Sequence, residues 1–92
     1  MSDAAVTRTV LVANRAGIHA RAAALIATLV PRFKARVEIV KGNARVEGTD
    51  VLQILSLGTG QGEQLSLEAT GEEAPQALDA LEDLFIGKFG ED

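Results

Sequence analysis

Val6-Thr-Arg-Thr-Val-Leu-Val-Ala13, running into Asn14-Arg-Ala-Gly-Ile-His-Ala-Arg-Ala-Ala-Ala-Leu-Ile-Ala-Thr-Leu-Val30, is the stretch that decides the fold. Val6, Val10 and Val12 alternate with Thr7, Thr9 and Leu11, the pattern of a strand with one buried face. Asn14 to Gly17 breaks the strand. The Ala/Leu-rich run from Ala20 to Val30 has high helix propensity, and Pro31 marks its end. A strand therefore hands over to a helix across a short turn, and His19, the one histidine of the chain, sits at the junction.

The rest of the chain continues in the same style. Ala35-Arg-Val-Glu-Ile-Val40 alternates as a second strand. Lys41-Gly42-Asn43 signals a turn, and Ala44-Arg-Val-Glu47 returns as a third strand, so these two form a hairpin. Asp50, with Gln53 three residues on, resembles a capping box and predicts a short helix over Val51–Leu57. After the flexible turn Gly58–Gly62, Gln64-Leu-Ser-Leu-Glu-Ala69 is a fourth strand. Ala77, Leu81, Leu84, Phe85 and Phe89 fall at helical spacing within Glu72–Phe89, leaving Asp79, Glu82 and Asp83 for solvent, and Pro75 suits the first turn. The order β-α-β-β-α-β-α predicts an α/β (α+β) two-layer open-faced sandwich: a four-stranded antiparallel sheet with three helices on one face.

Composition bounds the function. The 92 residues suit one domain spanning 1–92. With no cysteine, disulfides and thiol catalysis are excluded, and one histidine alone does not make a zinc site, so no metal is expected. The N-terminus lacks the apolar run of a signal peptide, and no stretch approaches the roughly 20 apolar residues that span a bilayer. A cytoplasmic location without membrane contact is the expectation. The net charge of −4 argues against nucleic acid as a partner. Basic residues nevertheless cluster before Glu47, and after it Lys88 is the only one, so one end suits an anionic group or an acidic partner.

Asn14-Arg15-Ala16-Gly17-Ile18-His19-Ala20-Arg21-Ala22-Ala23 carries the chemistry. Gly17 permits a sharp turn. The amides of Ala20, Arg21 and Ala22 lie in the first turn of the helix, where they have no intrahelical partner and favour an anion. Arg21 adds a positive charge. A phosphoryl group on imidazole needs an unprotonated nitrogen, which cationic surroundings favour, and donors for its oxygens. Singly, each of these residues is more simply a cap, a turn or a solvated charge; together they describe an anion site beside a nucleophile.

Gly17-Ile18-His19-Ala20-Arg21-Ala22-Ala23 closely resembles the active-site signature of HPr, the histidine-containing phosphocarrier of the phosphoenolpyruvate phosphotransferase system. Val46 to Gly58, ending in Ser56-Leu57-Gly58, resembles that family's third strand and second helix, and Glu68-Ala69-Thr70-Gly71 with the acidic helix after it resembles its C-terminal part. The resemblance implies that His19 is phosphorylated on Nδ1 by phosphorylated enzyme I and donates to a IIA-type acceptor. It further implies that Arg21 stabilises the phosphoryl group, that the backbone of Gly17, Ala20, Arg21 and Ala22 binds it, and that no cofactor is needed. The protein is expected to be a relay, completed by its partners, and not an enzyme by itself; a monomer is the simplest form for that task.

Two departures stand out. Proline commonly follows the active-site arginine in the family, and Ala22 stands there. The regulatory serine that many members carry at the start of the second helix corresponds to Asp50, preceded by Thr49. Asp50 is most simply an N-cap, but it also places a permanent negative charge at that position and predicts escape from serine-kinase control. Val51, Leu52, Ile54, Leu55 and Leu57 leave the short helix almost no polar face, so part of it is expected to stay exposed as a docking surface, with Ile18, Val51, Leu52 and Leu55 as its contacts.

Alternatives of other classes remain open. One is a regulatory protein of the same fold whose phosphorylation governs docking to targets, as in a nitrogen-related branch that Leu84–Asp92 resembles. Another is a purely structural interaction domain. A hydrolase is disfavoured, because there is no second histidine, no cysteine and no triad.

Overall fold

A computed structural model describes residues 4–91. Its elements are β1 (Val6–Leu11), α1 (Ala20–Leu29), β2 (Arg36–Lys41), β3 (Ala44–Glu47), α2 (Val51–Ser56), β4 (Gln64–Thr70) and α3 (Ala74–Ile86), with 3-10 turns at Val30–Arg32 and Lys88–Gly90. The strands form one antiparallel sheet in the order β1-β4-β2-β3. Val6 pairs with Ala69, Arg36 with Thr70 and Lys41 with Ala44. The two-layer sandwich expected from the sequence is the observed fold.

Alternation decides which face each strand buries. Val10, Val37, Ile39, Val46, Leu65, Leu67 and Ala69 are buried beneath Ile26 of α1, Ile54 of α2 and Leu78, Leu81 and Phe85 of α3. The opposite face carries charges that neutralise one another across strands. Arg45 bonds Glu38 at 3.1 Å and Glu68 at 2.7 Å, and Arg36 bonds Glu47. The β2–β3 loop has Gly42 at its first central position with φ +59°, as a type II′ turn requires.

Element ends differ from the sequence reading for identifiable reasons. β1 stops at Leu11, although Val12 still donates to Glu63 O at 2.9 Å. Pro31 sits inside a 3-10 turn following α1. At α2 the capping box is half made: Asp50 Oδ1 accepts from Gln53 N at 3.1 Å, but Gln53 Oε1 accepts from Glu47 N instead of Asp50 N. Asp79 and Glu82, expected to be solvated, clasp Arg8 of β1 at 2.7 and 3.1 Å.

The largest correction is at the end of α3. That helix was expected to run to Phe89 and instead stops at Ile86. Lys88, Phe89 and Gly90 have φ of +54°, +55° and +75°. Left-handed non-glycine residues cost about 1–2 kcal/mol each. Phe89 offsets this by being 2% exposed and stacking edge-on against Phe85, ring centroids 4.9 Å apart. Burying such a side chain contributes roughly 1.5–3 kcal/mol, and the aromatic pair about 0.5–1.5 kcal/mol more. The chain is thereby turned back toward the start of α1.

Candidate phosphoryl-acceptor site

The site is built on the junction between β1 and α1. Asn14 is fully buried, and its Nδ2 donates to Gly17 O at 2.8 Å. Gly17 N donates back to Asn14 O at 3.2 Å, closing the turn. Gly17 has φ +69°, and a Cβ there would stand 2.6 Å from Thr59 O. Ile18 N donates to that same carbonyl at 3.0 Å, so the loop leaving α2 holds the loop ahead of the histidine.

His19 is the N-cap of α1, with φ −92° and ψ −176°. Serine, threonine, aspartate and asparagine usually fill this role. Here the imidazole does so: Nδ1 accepts from the Arg21 amide at 3.2 Å. His19 O takes the Ala23 N–H at 2.9 Å, the first helical bond, so the amides of Ala20, Arg21 and Ala22 precede the ladder. Nδ1 thus points into the positive end of α1.

The other ring nitrogen meets a group that reading the sequence missed. His19 Nε2 lies 2.5 Å from Glu91 Oε2. Glu91 Oε1 accepts from Asn14 Nδ2 at 3.0 Å, and Arg21 NH1 reaches Glu91 Oε2 at 3.1 Å and Phe89 O at 2.9 Å. Asn14, His19 and Arg21 converge on one carboxylate, brought from 72 residues away by the left-handed turn. The Asn14 amide, opposed by partial desolvation and reinforced by His19 and Arg21, holds the Glu91 carboxyl below its ordinary range. The surroundings, expected to be cationic, therefore also contain an anion.

The expected site residues divide accordingly. His19, Arg21 and the free amides of Ala20 and Ala22 come together. Gly17 is adjacent, but its amide is committed to the turn, so its part is conformational, not donor to a ligand. Ile18 is 7% exposed and belongs to the core, which withdraws it from a docking surface. Leu52 is 78% exposed, and Val51 and Leu55 are half-buried on the same short helix, which packs against α1. Thr49 is exposed, and Asp50 is the α2 N-cap. Ala22 is fully buried where the family commonly has proline.

Glu63 and Glu68 also sit below their ordinary range, Glu63 chiefly through the Gly60 amide and Lys41, Glu68 through Arg45. With Glu91 they are deprotonated more readily folded than unfolded. Their stabilisation is therefore present above the ordinary value of 4.5 and lost as pH falls through the lowered folded values. The urea midpoint is expected to fall as pH drops below about 4.5; a midpoint flat over that range would contradict these contacts.

A family model described as "PTS HPr component phosphorylation site" matches residues 6–86. The phosphocarrier protein HPr of Treponema pallidum (strain Nichols) is 39% identical over 87 residues, covering 95% of this chain and 99% of that protein. The phosphocarrier protein NPr of Shewanella violacea is 40% identical over 84 residues, covering 91% and 92%. Among solved structures, HPr-C-His from Thermoanaerobacter tengcongensis superposes with a TM-score of 0.89 at 36% identity, covering 95% of this chain and 98% of that one. Sequence, fold and the signature at the head of α1 agree: the chain belongs to the HPr family of the phosphotransferase system, whose members are phosphocarriers and not enzymes in their own right.

Proposed function

We propose that this protein accepts a phosphoryl group from phosphorylated enzyme I on Nδ1 of His19 and passes it to a IIA-type protein. The observation that carries the reading is the aim of Nδ1 at the first turn of α1, where it accepts from the Arg21 amide. As Nδ1 bonds phosphorus it gives up that hydrogen bond. The Arg21 N–H, with those of Ala20 and Ala22, is then released toward the phosphoryl oxygens, and the helix dipole favours their charge. The Arg21 side chain is largely exposed and can turn from Phe89 O toward the phosphoryl group, a charge-assisted bond of about 1.5–3 kcal/mol. Transfer of this kind is mostly positioning and charge stabilisation, which a small carrier and its partner can supply jointly. Incubation with phosphoenolpyruvate and enzyme I should give one acid-labile, base-stable phosphoryl group, discharged on adding the right IIA protein. Absence of label from every enzyme I tried would end this reading.

The exposed apolar side chain of Leu52, beside half-buried Val51 and Leu55, is the docking surface for these partners. Leu52→Glu should raise the KM for enzyme I by about tenfold, the loss of one central apolar contact, while leaving thermal unfolding unchanged. Unaltered phosphorylation kinetics would remove Leu52 from the interface.

Asp50 caps α2 through its own carboxylate, so the fold needs no serine there. Incubation with ATP and a serine kinase of this system should therefore leave the protein unlabelled, and label on Thr49 would contradict this. The likeness to NPr favours a second reading, a regulatory carrier whose phosphorylation state controls docking to targets. The identity of the IIA protein that discharges phospho-His19 separates the two.

A further inference from the structure

We infer that Glu91 is a positioning residue for phosphoryl transfer: its carboxylate fixes the His19 ring with the proton on Nε2 and the lone pair on Nδ1, and it balances the charge the ring carries while phosphorylated. This rests on the proposed carrier role of His19. The geometry leaves the ring one arrangement. A proton on Nδ1 would face the Arg21 N–H, donor against donor, whereas Nε2 faces a carboxylate oxygen at 2.5 Å that can only accept. Asn14 cannot compete for the imidazole, because both contacts of its Nδ2, Gly17 O and Glu91 Oε1, are acceptors. Glu91 is itself held by Asn14 and Arg21 and carried on a turn anchored by buried Phe89. Among the described residues, Glu91 is the charged group bonded to the His19 ring; the Arg21 guanidinium bonds Glu91, and only the Arg21 backbone amide meets the ring.

The transfer then balances without moving that proton. The Nδ1 lone pair forms the N–P bond as the bond from phosphorus to the donor atom breaks, and the donor keeps its electron pair. The ring, still protonated at Nε2, becomes a phosphoimidazolium paired with the Glu91 carboxylate. On donation the N–P bond breaks, its electrons return to Nδ1, and the ring is neutral again with the same proton in place. At metal centres, losing the carboxylate that orients a histidine through its second nitrogen typically costs ten- to hundredfold, and a loss of about that size is expected for the acceptor role of His19 Nδ1.

The test uses the full chain, its Glu91→Gln variant and Glu91→Ala. In wild type, 15N-resolved NMR of the unphosphorylated ring should show an unprotonated Nδ1 and a far-downfield, exchange-protected Nε2–H; that signal should move upfield in Glu91→Gln and vanish in Glu91→Ala. Phosphoryl transfer through His19, measured on the folded protein, should slow at least tenfold in Glu91→Gln, which is isosteric and should stay folded with only the small drop in melting temperature that loss of the Glu91 charge brings. A wild-type ring protonated on Nδ1, or a Glu91→Gln protein that transfers at the wild-type rate, would overturn the inference. Because the ring is read before any phosphoryl group is present, failure of Glu91 and failure of the carrier reading give different results.

Discussion

His19→Gln is expected to reduce phosphoryl acceptance from enzyme I to background, a loss greater than a thousandfold, with the fold retained. Glutamine offers no ring nitrogen, so the lone pair that Nδ1 directs at the head of α1 is gone. The structural cost is small by comparison. His19 is only half-buried, and its cap bond to the Arg21 amide is a single contact of about 0.5–2 kcal/mol. Glutamine can replace part of it with its side-chain oxygen. Circular dichroism and thermal melting should place the variant close to wild type while label incorporation disappears. Residual label at more than a trace would mean that another group accepts phosphoryl.

Gly17→Ala is expected to damage the fold and the site together. The φ of +69° costs an L-residue about 1–2 kcal/mol. The new Cβ would also stand 2.6 Å from Thr59 O and 2.9 Å from Gly60 Cα, both backbone atoms that cannot swing away. Relief requires the two loops to part, which strains the Ile18 N–H bond to Thr59 O. Overpacking of this kind adds roughly 1–3 kcal/mol, so the total is about 2–5 kcal/mol. A chain of this length has only about 5–10 kcal/mol of stability. Urea unfolding should show the loss as a lower midpoint, and phosphorylation of the folded fraction should slow because His19 follows two residues behind. A midpoint equal to wild type would mean that the loop accommodates a methyl group freely.

Most of the architecture was legible because the strands alternate cleanly and the turns carry glycine or asparagine. Gln64–Thr70 and Arg36–Lys41 show their buried faces directly in Val, Ile and Leu at every second position. The acceptor and its arginine were legible for the same kind of local reason: Gly17, His19 and Arg21 lie within five residues at a strand-to-helix junction. Glu91 was not. Its approach depends on Lys88 and Phe89 adopting left-handed backbone, which local propensity opposes and only the stacking of Phe89 on Phe85 makes favourable. Helical spacing placed Phe89 on α3, and an extended helix would have carried Glu91 away from the histidine. Arg8 teaches the same lesson on a smaller scale. Its partners Asp79 and Glu82 were read as solvated because an acidic helix face says nothing of a strand that precedes it by about seventy residues.

The position of the transferred phosphorus decides whether Nδ1 of His19 is the acceptor. The protein should be phosphorylated with phosphoenolpyruvate and enzyme I, and the modified ring read by 31P and 15N NMR. One phosphoryl group is expected, bonded to Nδ1 of His19, with the proton still on Nε2 facing Glu91. Phosphorus on Nε2, on another residue, or on none would contradict it.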